Sequence, residues 1–330
     1  MPEIVTGGNN PQQNTSTGGN LQDENVTIQS ESVTQAAGNV SQQAGNTFPP
    51  QGTASPASSS YGIPATPTIV NTEVPVVVFV GPPSSGKSMI LVRLAKYLRN
   101  QGYTIQTDPT FLNTPQYQQD CQEFENSLNT TIALPGTVKF LLVKVLHNGV
   151  EIAKLLEAPG EDFYTTDPEE IRRGKNNRIE SYLSTVMTSN NPKSYVTLLD
   201  LDSDISFRND PYHRDSYAQR FLNHFYPAVN LNRDRIVLLY NKIDKTGFGS
   251  INGCSNPKGA RKDAEMYYKQ LFERMKVSTI FGRTDNFVFK TFCTGMFSTQ
   301  YDNMGNKYQT YNVADDVYPR ELWKEITRKW

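Results

Sequence analysis

The chain has 330 residues, 37% of them hydrophobic and 20% charged, and its 32 basic and 33 acidic side chains leave a formal net charge of -1. Near-neutrality removes the bulk positive charge that draws proteins to nucleic acid, and no stretch approaches the ~20 apolar residues of a membrane helix. Cys121, Cys254 and Cys293 stand far apart with no C-x-x-C pair, which argues against a disulfide framework or zinc ribbon and for a reducing, cytoplasmic setting.

In chain order, the first 70 residues include 47 that are Gln, Asn, Ser, Thr, Gly or Pro, so they lack the apolar surface needed to offset the entropy of ordering. All four charges before Glu73 are acidic (Glu3, Asp23, Glu24 and Glu31), and no basic residue precedes Lys87, as a secretory signal would require. Residues 1–72 are therefore expected to form a disordered tail, stiffened by prolines toward 48–67, and residues 73–330 to form one folded domain. Strands are expected at 74–81, 138–146, 150–157, 195–201, 235–241 and 287–293. Helices are expected at 87–100, 169–187, 215–226, 260–275 and 320–329, with a short one at 121–128. Apolar runs alternating with amphipathic segments predict an α/β fold, a mainly parallel sheet with helices on both faces.

The first strand runs into 81-GPPSSGKS-88, which fits the phosphate-loop pattern G-x-x-x-x-G-K-[ST] without a mismatch and opens a helical run. Gly81 and Gly86 let the backbone curl, and the N–H groups of the loop, Ser84 and Ser85 among them, face a phosphate chain at a helix N-terminus. Lys87 would reach the β- and γ-phosphates, and Ser88 would ligate Mg²⁺. Further on, 241-NKID-244 closes the strand 235–241. A carboxylate at Asp244 can accept from the N1–H and 2-amino groups of guanine, donors that adenine lacks.

These two motifs together resemble the Ras-like P-loop GTPases of the translation-factor-related class, over roughly Pro75 to Trp330. The resemblance implies that Asn241 braces the phosphate loop, Lys242 packs on the base and Asp244 reads guanine. It places Cys293 and Thr294 of 292-FCTG-295 near the guanine O6, although the usual Ser-Ala pair is absent. The family's γ-phosphate sensor is a Thr before the second strand; Thr130, Thr131 and Thr137 are available, and Thr137 in 134-LPGT-137 has the spacing to reach Mg²⁺ from the loop side. The D-x-x-G of the second switch reads Glu157-Ala158-Pro159-Gly160 here. Glu157 would hold Mg²⁺ through water, Gly160 would offer its N–H to the γ-phosphate, and Glu161 stands where the water-orienting Gln usually lies. The combination looks most like a divergent, bacterial or phage-type group.

The implied function is a GTP/GDP-binding protein, a slow GTPase and nucleotide-dependent switch with a protein effector or regulator. The alternatives are a P-loop ATPase or phosphotransferase using Asp200, at the end of an apolar strand with Asp202, for Mg²⁺, and a nucleotide-retaining scaffold that recruits partners through its tail. Arg172 and Arg173 read as a solvated helix face, and the three histidines have no metal-ligand spacing.

Overall fold

A computed structural model of the chain describes residues 69, 71–112, 114–134, 140–199, 211–280 and 282–328. Of the expected tail, only Ile69, Asn71 and Thr72 fall among them. Thr137, Asp200 and Asp202 lie outside the described residues. The described residues all belong to one compact unit.

Seven strands make the central sheet: β1 (Val76–Val80), β2 (Thr104–Thr107), β3 (Leu141–His147), β4 (Val150–Glu157), β5 (Lys193–Leu199), β6 (Arg235–Tyr240) and β11 (Val288–Thr291). They lie in the order β11-β6-β5-β1-β4-β3-β2. From β4 to β11 all neighbours run parallel, while β3 and β2 are antiparallel additions at one edge. Every residue of β1 and β5 is buried, as expected of parallel strands covered on both faces. β3 and β4 join through Asn148-Gly149, both at positive φ, the turn chemistry of a two-residue hairpin.

The helices are α1 (Lys87–Asn100), α2 (Pro115–Ser127), α3 (Gly160–Phe163), α4 (Pro168–Arg172), α5 (Ser181–Thr188), α6 (Pro211–Arg220), α7 (Pro257–Tyr267), α8 (Lys269–Arg274) and α9 (Val317–Thr327). The step from β1 to β4 and the steps β4 to β5, β5 to β6 and β6 to β11 cross the sheet in opposite directions. Right-handed crossovers then put α1 on one face and α5, α6 and α7 on the other. α9 returns to pack on α1, and Arg93 of α1 crosses to it, pairing with Asp316 at 2.5 Å and donating to the Ala314 carbonyl at 2.8 Å. The reversal of crossover direction occurs at β1, and its carboxyl end is where a ligand crevice opens in such sheets.

Several elements depart from expectation. The helix expected over 169–187 is divided: the chain leaves α4 at Gly174 (φ 74°), passes through a 3₁₀ turn at Lys175–Asn177, and only then begins α5. The short helix expected at 121–128 is longer and starts at Pro115, capped by Thr114, whose hydroxyl accepts from the Tyr117 N–H at 3.2 Å. Small hairpins appear that the apolar pattern did not signal: β7 (Gly249–Ser250) with β8 (Gly253–Cys254), β9 (Lys276–Thr279) with β10 (Gly282–Asp285), and β12 (Gly295–Tyr301) with β13 (Lys307–Val313). Most of their residues are exposed, so they carry no continuous apolar run.

Candidate functional site

The loop 81–88 leaves β1 and enters α1 at the carboxyl end of the sheet. Gly86 stands before the first turn of α1 with φ 91°, and a Cβ there would lie 2.6 Å from Asn241 Nδ2. Both its conformation and its neighbour therefore demand glycine. Ser84 takes the left-handed region without being glycine (φ 60°). Lys87 folds back over the loop, donating to the carbonyls of Gly81 at 3.0 Å and Pro82 at 3.1 Å. Its ammonium also lies 5.8 Å from the centre of the Phe163 ring. Ser85 Oγ closes the curl with a 2.7 Å bond to the Pro82 carbonyl. Because Pro82 and Pro83 lack N–H groups, the loop's backbone donors resume after Gly81 only at Ser84.

Two distant segments meet this loop. From β4, Glu157 accepts a hydrogen bond from Ser88 Oγ through Oε1. The longer side chain in the Asp position thus reaches the loop serine. Its other oxygen, Oε2, is buried with no hydrogen-bond partner. Burial pushes the Glu157 carboxyl above the ordinary range, against the pull of Ser88 and Lys87, and the nearby Asp120 adds to the rise. Burial likewise lowers the Lys87 ammonium, opposed by the fields of Glu157, Glu161 and Asp162. A buried carboxylate with one unpaired oxygen beside a serine hydroxyl supplies hard oxygen donors and wants positive charge, so Ser88 and Glu157 fit a divalent cation such as Mg²⁺. Just beyond, Gly160 packs on the loop so closely that a Cβ would sit 2.3 Å from the Pro83 nitrogen. Glu161 follows, exposed, in the first turn of α3.

The second segment comes from the end of β6. Asn241 Nδ2 donates to the Ser85 carbonyl at 2.8 Å, and Lys242 Nζ to that of Ser84 at 3.1 Å. Lys242 has a positive φ of 55° and leads into a 3₁₀ turn, Ile243–Lys245, that presents Asp244. The Cys293 thiol donates to Asp244 Oδ1 at 3.1 Å. Cys293 is fully buried, and burial together with the Asp244 carboxylate pushes its thiol far above its ordinary value. Thr294 is buried beside it, and its carbonyl accepts from the Ala314 N–H at 3.1 Å.

The fold therefore brings Gly81 to Ser88, Glu157, Gly160, Asn241, Lys242, Asp244 and Cys293 into one site. Arg172 and Arg173 stay on an exposed helix, paired with Glu169 at 2.5 Å and Glu170 at 3.0 Å. Sequence reasoning missed the residues that support the site from below, chiefly Phe163 and Arg220. Both lie in stretches whose pattern reads as ordinary core or amphipathic helix, so no local signal set them apart.

No protein-family model matches the chain, and no curated protein matches it. Among solved structures, it is similar to a nucleolar GTP-binding protein 1 from Plasmodium falciparum, at 14% identity over 69% of this chain and 80% of that one, with a TM-score of 0.34. It is also similar to a protein from Thermus thermophilus, at 12% identity over 78% of this chain and 30% of that one, with a TM-score of 0.29. Likeness of this degree assigns no ligand.

Proposed function

We propose that the chain binds GTP with Mg²⁺, hydrolyses it slowly and acts as a nucleotide-dependent switch read by a protein effector. The observation that carries this reading is the 2.8 Å bond from Asn241 Nδ2 to the Ser85 carbonyl. It docks the turn bearing Asp244 against the phosphate cradle, so that one molecule can span both. Lys87 and the N–H groups from Ser84 onward meet the phosphates, with the N-terminus of α1 behind them. The Asp244 carboxylate, held by the Cys293 thiol, accepts from the guanine N1–H and 2-amino groups. Ser88 and Thr137, with Glu157 through water, would hold the Mg²⁺, which would neutralise charge on the phosphate oxygens. Thr137 is assigned as the γ-phosphate sensor and the Gly160 N–H as a γ-phosphate donor. Glu161 orients the attacking water, but its negative charge beside the γ-phosphate opposes approach, which keeps turnover slow.

Competition of labelled GTP with unlabelled GTP, ATP and xanthosine triphosphate tests the reading. A site built to pair with guanine's donors rejects a base lacking them by up to roughly 10⁴-fold, since the carboxylate is then left unpaired. Asp244→Asn should weaken GTP and improve xanthosine triphosphate, because an amide can donate to the 2-oxo group. Equal displacement by ATP and GTP in the wild type would refute the assignment.

A further inference from the structure

Arg220 is the last residue of α6 and is almost wholly buried. Its guanidinium serves four backbone carbonyls. Nη2 donates to Asp162 and Arg178, each at 2.8 Å, Nε to Phe163, and Nη1 to Asn176. All four belong to the stretch that follows Gly160. The same stretch is held at two further points. The Asp162 carboxylate accepts from Lys175 Nζ at 2.8 Å and from the Tyr182 hydroxyl, and Lys175 also meets Glu180 at 2.9 Å. The Phe163 ring meets both the Lys87 ammonium, at 5.8 Å, and the Phe225 ring, at 5.6 Å.

These contacts converge on α3, whose first residue, Gly160, is pressed against Pro83. A four-residue helix cannot hold its own position, because nearly all its backbone groups are terminal. Its place is set by what grips it. α6 is well suited to that: one turn before Arg220, the Tyr217 hydroxyl donates toward the carbonyls of Val80 at 3.3 Å and Leu198 at 3.2 Å, at the carboxyl ends of β1 and β5. After Arg220 the helix widens into a π-helical turn, Phe221–Phe225, which delivers the Phe225 ring. One helix thus references α3 to β1, which carries the phosphate loop, and to its neighbour β5.

We propose that Arg220 is a positioning residue for the γ-phosphate end of the site: its four carbonyl contacts fix α3 so that Gly160 and Glu161 meet the terminal phosphate. This rests on the GTPase reading above. It also means that the stretch from Gly160 to Glu180 is a fixed shelf through the nucleotide cycle, not a segment that orders when GTP binds.

The test compares Arg220→Lys and Arg220→Met with the full-length wild type. A lysine keeps the charge but has three donors, which cannot reproduce a planar fork serving four carbonyls. GDP affinity depends on the loop and the base reader and should stay within about twofold. The kcat for GTP should fall about tenfold or more, and the affinity ratio of a non-hydrolysable GTP analogue to GDP should fall with it, because small misplacements near a reacting group are severe. Hydrogen exchange over residues 162–180 in the wild type, beyond the amides that meet the γ-phosphate, should be the same with GDP and with the analogue. If Arg220→Lys keeps both the kcat and the affinity ratio and loses only melting temperature, the role is structural and the proposal is overturned, whether or not Arg220→Met folds. Exchange that slows over 162–180 only with the analogue would also overturn it. Failure of the GTPase reading is distinguishable, since the wild type itself would then show no preference for guanine nucleotides.

Discussion

At Gly160 a hydrogen is the largest substituent the phosphate loop accepts, because a Cβ would meet backbone atoms of Pro82 and Pro83 at 2.3 to 2.6 Å. Backbone cannot swing aside as a flexible side chain would. Gly160→Ala should therefore push α3 off the loop at a cost of about 1–3 kcal/mol. GDP binding should survive, while GTP turnover measured by phosphate release drops sharply. A variant with unchanged turnover would mean that the contact is not part of the working site. Cys293 makes the matching case at the base end. Its buried thiol gives the half-buried Asp244 carboxylate a donor, and a net hydrogen bond is worth about 1 kcal/mol. Cys293→Ala should weaken GTP by roughly three- to tenfold, while Cys293→Ser, which keeps a donor there, should bind like wild type. Titration calorimetry on the pair separates the donor from the volume it occupies.

Among the elements, β5 begins on a charged residue that is fully buried. Lys193 donates to the carbonyls of Ser189 at 2.7 Å and Asn191 at 2.9 Å, and its N–H is received by Asp234 Oδ1 at 3.0 Å. Burial lowers its ammonium from 10.5 to about 8, with Arg233 adding to the fall and Asp234 opposing it. Between pH 8 and 10.5 the unfolded chain then holds a proton that the folded chain has released, so this group's contribution to stability rises with pH across that window. Lys193→Met removes the titration. The wild-type urea midpoint should gain on the variant's as pH rises from about 7.5 toward 10, and parallel profiles would show that Lys193 keeps its proton. The break in 169–187 has a local cause: Gly174 takes the left-handed region at φ 74° and ends α4, after which Lys175 and Tyr182 both turn inward to Asp162.

For the whole molecule, the folded unit is stitched at both ends. Ile69 packs on the core and the Asn71 carbonyl accepts from Asn191 Nδ2 at 2.9 Å. At the other end, α9 is fastened by the Arg235–Glu325 pair at 2.5 Å and by Ser194 Oγ donating to the Ile326 carbonyl at 2.9 Å. We propose that the domain proper begins near Ile69, slightly before the boundary at residue 73 that composition suggests. Removing residues 1–66 should leave the melting temperature and nucleotide affinity nearly unchanged, since that stretch has too little apolar surface to contribute a core. A fall of several degrees in a thermal scan would show that it docks on the domain.

What the sequence determined by itself was local and repetitive. The all-apolar run of β1, the 81–88 loop and the helix at Lys87–Asn100 were legible, because a buried parallel strand, a phosphate cradle and an amphipathic stripe each impose their pattern on adjacent residues. The 241–244 turn was legible for the same reason. The resemblance also implied that Asn241 braces the loop. What only the tertiary structure decided were relations across long separations: the direct bond of Ser88 to Glu157, the Ser85 carbonyl as the acceptor of Asn241, and Arg220 with the carbonyls around α3. None of these leaves a local trace. Arg220 in particular binds backbone carbonyls, which every residue carries, so no partner residue type could betray the contact in the sequence.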